Sequence, residues 1–128
     1  MIAAGIGCRQ NIDAGDILDV IHQASEVAGI EAAAIAYLSI PDFKQGEEGV
    51  HRAASELAIP VIIIPRATIE RLQDEVLTRS DKVLAAIGLA NVAEAAALAG
   101  AGDGATLLGP RAATPFATCA LASRSNAA

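Results

Sequence analysis

Four cations stand where a chain of this kind could meet an anion. Arg9 closes the segment Gly5-Ile6-Gly7-Cys8-Arg9, Lys44 follows Ser39 and Asp42, Arg66 follows Pro65, and Arg111 follows Gly109-Pro110. Each comes soon after an apolar run that reads as a strand. In the first segment, small residues let the backbone approach a ligand, and Arg9 brings a forked guanidinium. A helix start follows a few residues on. That combination suits a carboxylate, although a tight turn with a solvated arginine meets the same spacing.

Other groups are open to chemistry. Lys44 and Glu47 are three residues apart. They can pair with each other, or Lys44 can meet an anionic group while Glu47 orients it or serves as a base. Glu94 falls in the first turn of a late helix, where a carboxylate favours the positive helix end. Cys8 sits beside Arg9 and near a helix start, both of which lower a thiol pKa. No histidine is coupled to it in sequence, which leaves nucleophilic catalysis without a base. His22 and His51 read as solvated, and Cys119 as a core residue. Gly5-Ile6-Gly7 resembles the start of a dinucleotide fingerprint, but Gln10 occupies the third glycine position and no acidic residue ends the second strand. No metal-ligand spacing is visible, and the residues call for no cofactor.

The elements that must position these groups follow from periodicity. Residues 1–6 form a short buried strand, and Asp13 caps a helix reaching about Ala28, with Gly29 as its stop. Residues 33–40 form a second strand. A helix begins at Glu47 or Glu48, and Pro60 ends it. Val61-Ile62-Ile63-Ile64 is continuous and β-branched, the pattern of a central strand covered on both faces. Thr68 caps a helix to about Leu77, Ser80 caps a short one ending at Gly88, and Asn91 caps another over residues 92–99. Residues 105–108 and 116–122 then read as an antiparallel pair at one edge of the sheet.

This order predicts a three-layer α/β/α sandwich with a mixed sheet of about five strands, the first three parallel. It forms one domain over residues 1–122, followed by a polar tail at 123–128. In open α/β sheets, ligands bind beyond the carboxyl ends of the strands. The loops at 7–13, 39–47, 65–68 and 109–115 are therefore the ones to compare.

Composition narrows the ligand. The chain has 128 residues and a net charge of −6, so it lacks the general basic field that nucleic acid requires. No apolar run is long enough to span a bilayer, no signal peptide is recognisable, and two unpaired cysteines fit a reducing cytoplasm. Aromatics are few, with Phe43, Phe116, Tyr37 and no tryptophan. Stacking a planar ligand on aromatic rings is therefore not expected. An anionic ligand on an acidic protein requires cations gathered locally.

The opening Gly5-Ile6-Gly7-Cys8-Arg9 before a capped helix resembles that of the family formed by CobE and the C-terminal domain of CbiG. So does a strand ending in Ser39 and followed by Lys44, Glu47 and Gly49, and so does the run from Gly88 through Val92, Glu94, Ala95 and Ala96. The resemblance extends over about residues 1–122. Two departures stand out: Pro41-Asp42-Phe43-Lys44 is slightly longer than the family's loop, and Arg111 takes the place of a late lysine.

The resemblance implies a role in cobalamin biosynthesis, on or with a precorrin or corrin intermediate rich in carboxylates, and contact with other enzymes of that pathway. CbiG-type proteins open a δ-lactone on a cobalt-precorrin and release acetaldehyde. CobE-type proteins are the free-standing form, the nearer match in length. Lys44 and Glu47 then become the candidate catalytic pair. Gly7, Cys8, Arg9, Ser39, Arg66, Glu94 and Arg111 become candidate ligand contacts. A protein that holds or hands over the intermediate without chemistry fits the same residues.

Overall fold

The computed structural model describes residues 1–124. Its sheet is built from β1 (Ile2–Cys8), β2 (Ile35–Pro41), β3 (Val61–Ile64), β4 (Thr106–Leu107), β5 (Ala112–Ala113) and β6 (Ala117–Ser123). The strand order is β3-β2-β1-β6-β4, with the short β5 pairing to β6. The β1–β2 and β2–β3 pairs are parallel, and β6 runs antiparallel to β1, β4 and β5. The expected three-layer mixed sandwich is therefore present, with one more strand than expected.

Side-chain alternation assigns the two faces. Ala4 and Ile6 of β1, with Cys119 and Leu121 of β6, meet Ile17, Val20 and Ile21 of α1 (Ala14–Ala28) and Val50 and Ala53 of α2 (Glu48–Leu57). On the other face, Ala3, Ala120 and Ala122 meet Ala93, Ala97 and Ala101 of α5 (Ala93–Ala101). Alanines four apart make a flat ridge that settles close to a strand of small residues. Gly5 completes this fit, because a Cβ there would run into the backbone of Ala93 and Ala97. Every residue from Ala93 to Leu98 is buried, as expected of a helix that is apolar on all sides.

Several expectations need correction. β3 is an edge strand, not a central one, and Ile63 is 36 % exposed. Only Ile64 of the four is buried, so the continuous β-branched run reports strand propensity and neither full cover nor a neighbour on each side. The expected helix from Thr68 to Leu77 is α3 (Arg66–Arg71) followed by a 3-10 turn, Leu72–Glu75. It starts earlier because Asp42 Oδ2 accepts from the Arg66 backbone N–H, a remote substitute for a local cap. Helix α2 closes on Ala58 in the left-handed region before Pro60 is reached.

Asp13 holds the N-cap position of α1 without a side-chain bond. Ser80 does cap α4 (Asp81–Ile87), accepting from the Val83 N–H, and Asn91 Oδ1 accepts from the Glu94 N–H. As expected, β4 and β6 form an antiparallel pair at one edge of the sheet, with β4 outermost and β6 beside β1. The expected polar tail also starts later. Ser123 pairs with Ile2 and Thr106, and the Arg124 N–H donates to the Met1 carbonyl. The rest of that tail, residues 125–128, lies outside the described residues.

Candidate functional site

A cleft of about 390 Å³ opens where β1 and β2 end and β6 begins. Its wall includes Gly7, Cys8 and Arg9 from the end of β1, Phe43 and Lys44 from the turn after β2, and Arg111 from the β4–β5 loop. Phe116 and Thr118 come from the start of β6, and Val92 stands at the start of α5. Lys82, Val83 and Ile87 of α4 complete it. This is the carboxyl end of the parallel strands, where the topology expects a ligand.

Arg9, Lys44, Lys82 and Arg111 are four of the chain's nine basic residues, and none of the lining residues is acidic. On a chain with a net charge of −6, the charged side chains lining this cleft are thus all cations. Low-dielectric walls focus the field of such a cluster toward an incoming anion.

Arg9 and Arg111, expected on separate loops, share the cleft with Lys44. Arg66 does not line it. Its guanidinium bonds to Glu70 Oε1 at 3.1 Å and to the Ile87 carbonyl, and lies 5.5 Å from the centroid of the Phe43 ring. It ties α3 to the C-terminal end of α4, behind two residues that do line the cleft.

Ser39 is wholly buried, with its hydroxyl unpartnered beneath Gly100, and so makes no contact with the cleft. The polar side chain that ends a strand reads as a ligand contact in sequence. Here it faces α5, which Gly100 allows to come close.

Glu94 is also wholly buried and does not line the cleft. Its Oε1 accepts from the Leu77 and Thr78 N–H groups at 2.6 and 3.0 Å, and its Oε2 from the Arg111 N–H at 2.9 Å. One carboxylate thus fastens the lead-in to α4 and the Arg111 loop, on two sides of the cleft. Three charge-assisted bonds offset the desolvation of a buried carboxylate.

Lys44 and Glu47 are divided. Lys44 faces the cleft, whereas Glu47 lines a neighbouring polar hollow with Asn11, Asp13, Glu48 and Arg52. Glu47 Oε1 accepts from the Asn11 N–H at 2.8 Å, bracing a residue at positive φ in the β1–α1 loop. The Cys8 thiol lies within the fields of both. Burial pushes it up to about 11, with Lys44 pulling down and Glu47 pushing up. The expected activation of Cys8 is reversed, because desolvation outweighs the nearby cation. Cys119, fully buried, is pushed up to about 12. His22 and His51 are exposed, and no cluster among the described residues has the side chains to hold a metal ion. No helix among them is long and apolar enough to cross a membrane.

Lys82, Phe43 and Phe116 escaped the sequence reading. Lys82 had a signal, since the Ser80 cap places it in the first turn of α4. The phenylalanines carry no motif, and their small number points away from an aromatic site. Yet the only two in the chain are exposed by 42 % and 46 % at one opening, and the Arg9 guanidinium lies 5.9 Å from the Phe116 centroid. Few as they are, both phenylalanines therefore stand at this one cleft.

Comparison with known proteins agrees with this architecture. The family described as cobalamin synthesis G C-terminus matches residues 2–122. Protein CobE of Sinorhizobium sp is 30% identical over 121 residues, covering 94% of this chain and 79% of that protein.

Among solved structures, that of CobE, from the cobalamin (vitamin B12) biosynthetic pathway, superposes with a TM-score of 0.91 at 32% identity. The match covers 98% of this chain and 91% of that one. Cobalamin biosynthesis protein chiG from Agrobacterium tumefaciens gives 0.77 at 33% identity, covering 98% and 100%. A cobalamin biosynthesis protein G homolog from Sulfolobus solfataricus shares the fold, with a TM-score of 0.76 at 22% identity over 97% of this chain and 37% of that one. The chain belongs to the cobalamin synthesis G C-terminal family and is a cobalamin-biosynthesis protein of the CobE/CbiG C-terminal type.

Proposed function

We propose that the cleft holds a precorrin or corrin intermediate by its peripheral carboxylates, for hand-over to other enzymes of the pathway. The observation that carries this reading is the gathering of Arg9, Lys44, Lys82 and Arg111 around one opening with no acidic lining residue, on a chain of net charge −6. Guanidinium forks suit carboxylates in a fixed geometry, and ammonium groups on flexible stems adapt to the rest. The residues that would make a covalent catalyst are otherwise engaged. The Cys8 thiol is held protonated at neutral pH, the Ser39 hydroxyl is buried, and the Glu94 oxygens are taken by backbone N–H groups.

A second reading, hydrolytic opening of a precorrin lactone, rests on Lys44 and Glu47. Lys44 lines the cleft and Glu47 lines the hollow next to it. Lys44 would polarise the lactone carbonyl and Glu47 would take a proton from the attacking water. Titration of the protein with hydrogenobyrinic acid, followed by incubation with a lactone-bearing precorrin, separates the two. Stoichiometric binding without product supports the carrier. Turnover that is lost in both Lys44→Ala and Glu47→Gln supports the hydrolase. Absence of any binding removes both.

A further inference from the structure

We propose that Phe43 and Phe116 are the specificity-determining residues of the cleft, selecting a ligand with a broad apolar face in addition to carboxylates. The inference rests on the reading of the cleft as a tetrapyrrole site and adds how the ring itself is recognised.

An exposed phenylalanine is ordinary when it stands alone. Two that are the chain's entire complement, both more than two-fifths exposed and both on one cleft, form a patch. Val83, Ile87 and Val92 extend that patch with aliphatic surface.

Each ring is paired with a guanidinium, Phe116 with Arg9 and Phe43 with Arg66. A cation can cover one face of a ring and leaves the other to a ligand. The Phe116 carbonyl also accepts from the Arg9 N–H at 3.4 Å, so the ring and its cation are joined through the backbone as well. Arg66, in turn, is anchored to Glu70 and Ile87 and limits the movement of Phe43.

Cations alone would accept any small polyacid. Apolar rings beside them favour a ligand whose flat body removes the rings from water while its carboxylates meet Arg9, Lys44, Lys82 and Arg111. Aromatic anchors flanked by charge give this kind of selectivity because only a ligand carrying both features collects both contributions.

The test is a titration of wild type, Phe43→Ala and Phe116→Ala with two probes, hydrogenobyrinic acid and tricarballylate. The second is a flexible tricarboxylate with no ring. Each variant is expected to bind the macrocycle about tenfold more weakly, the scale of one lost aromatic contact, and to bind tricarballylate as the wild type does. Phe43→Leu and Phe116→Leu keep apolar bulk, guard against a folding defect and are expected to recover part of the loss. Unchanged macrocycle affinity in both alanine variants, with wild type binding normally, overturns this inference and leaves the cationic site standing. A wild type that binds no macrocycle overturns both.

Discussion

The Arg111 backbone N–H donates to Glu94 Oε2 at 2.9 Å, joining the β4–β5 loop to a helix 17 residues earlier in the chain. The other oxygen of the same carboxylate takes Leu77 and Thr78. Two stretches without a strand or helix of their own are therefore fixed to a buried point in the core. Each of them leads to a cation of the cleft, Arg111 directly and Lys82 through α4.

Glu94→Gln is the narrowest test of that arrangement. The amide keeps the shape but turns one acceptor into a donor facing backbone N–H groups. A loss of about 1–3 kcal/mol is expected for the buried donors left unpaired, read as a lower midpoint in thermal or denaturant unfolding. Glu94→Ala should cost more, because all three N–H groups lose their partner. Stability equal to wild type in both variants would contradict the role given to this residue.

Ser39→Ala should behave in the opposite way. Its hydroxyl is buried and unpartnered, so removal relieves a desolvation cost of about 1 kcal/mol or more. The unfolding midpoint is expected to stay level or rise, and macrocycle affinity to stay unchanged. A fall in affinity at constant stability would return Ser39 to the site.

Gly5→Ala should be severely destabilising, since the new methyl meets the backbone of Ala93 and Ala97 instead of a side chain that can turn away. Overpacking of this kind costs about 1–3 kcal/mol where a core can adjust, and more where helix backbone must move. Circular dichroism with thermal melting reads the outcome. Gly15→Ala, where the added methyl meets nothing, is the control.

The pH dependence of the thiols follows from their burial. Cys8 ionises near 9.0 when unfolded and about 11 when folded, and Cys119 near 9.0 and about 12. Their folded values are raised, so the unfolded chain gives up its protons first. The stabilisation is complete below pH 9 and declines as pH rises toward 11 and beyond. In a Cys119→Ala background, alkylation of Cys8 by iodoacetamide should keep accelerating up to about pH 11. A rate already level by pH 8 would mean an activated thiolate.

Much of this arrangement could be seen in the chain's own residues, and most of the missing parts share one cause. Strand β1, helix α1 with its Gly29 stop, strand β3 and the Ser80 cap announce themselves through local pattern, because periodicity and capping are local physics. Arg9, Lys44 and Arg111 were identifiable because each follows an apolar run. Arg66 meets the same criterion but does not line the cleft, since a carbonyl at the end of α4 and a neighbouring glutamate hold it. Glu94 read as a helix-dipole residue for lack of any local sign that Leu77, Thr78 and Arg111 return to it. The edge position of β3 and the insertion of β6 beside β1 depend on pairing between distant segments, which composition and spacing do not encode. Lys82 and Phe116 share that cause, since helix α4 and the start of β6 reach the cleft only through the tertiary fold, whereas Phe43 stands beside Lys44 in a loop that the strand ends already single out.

The most direct measurement of the central claim is the salt dependence of hydrogenobyrinic acid binding in wild type and in a variant carrying Lys44→Ala, Lys82→Ala and Arg111→Ala. Attraction between exposed charges is screened by salt. Wild-type affinity should therefore fall steeply as salt rises, and the triple variant should bind weakly with little further dependence on salt. Wild-type binding that ignores salt, or a triple variant that retains wild-type affinity at low salt, would contradict the account.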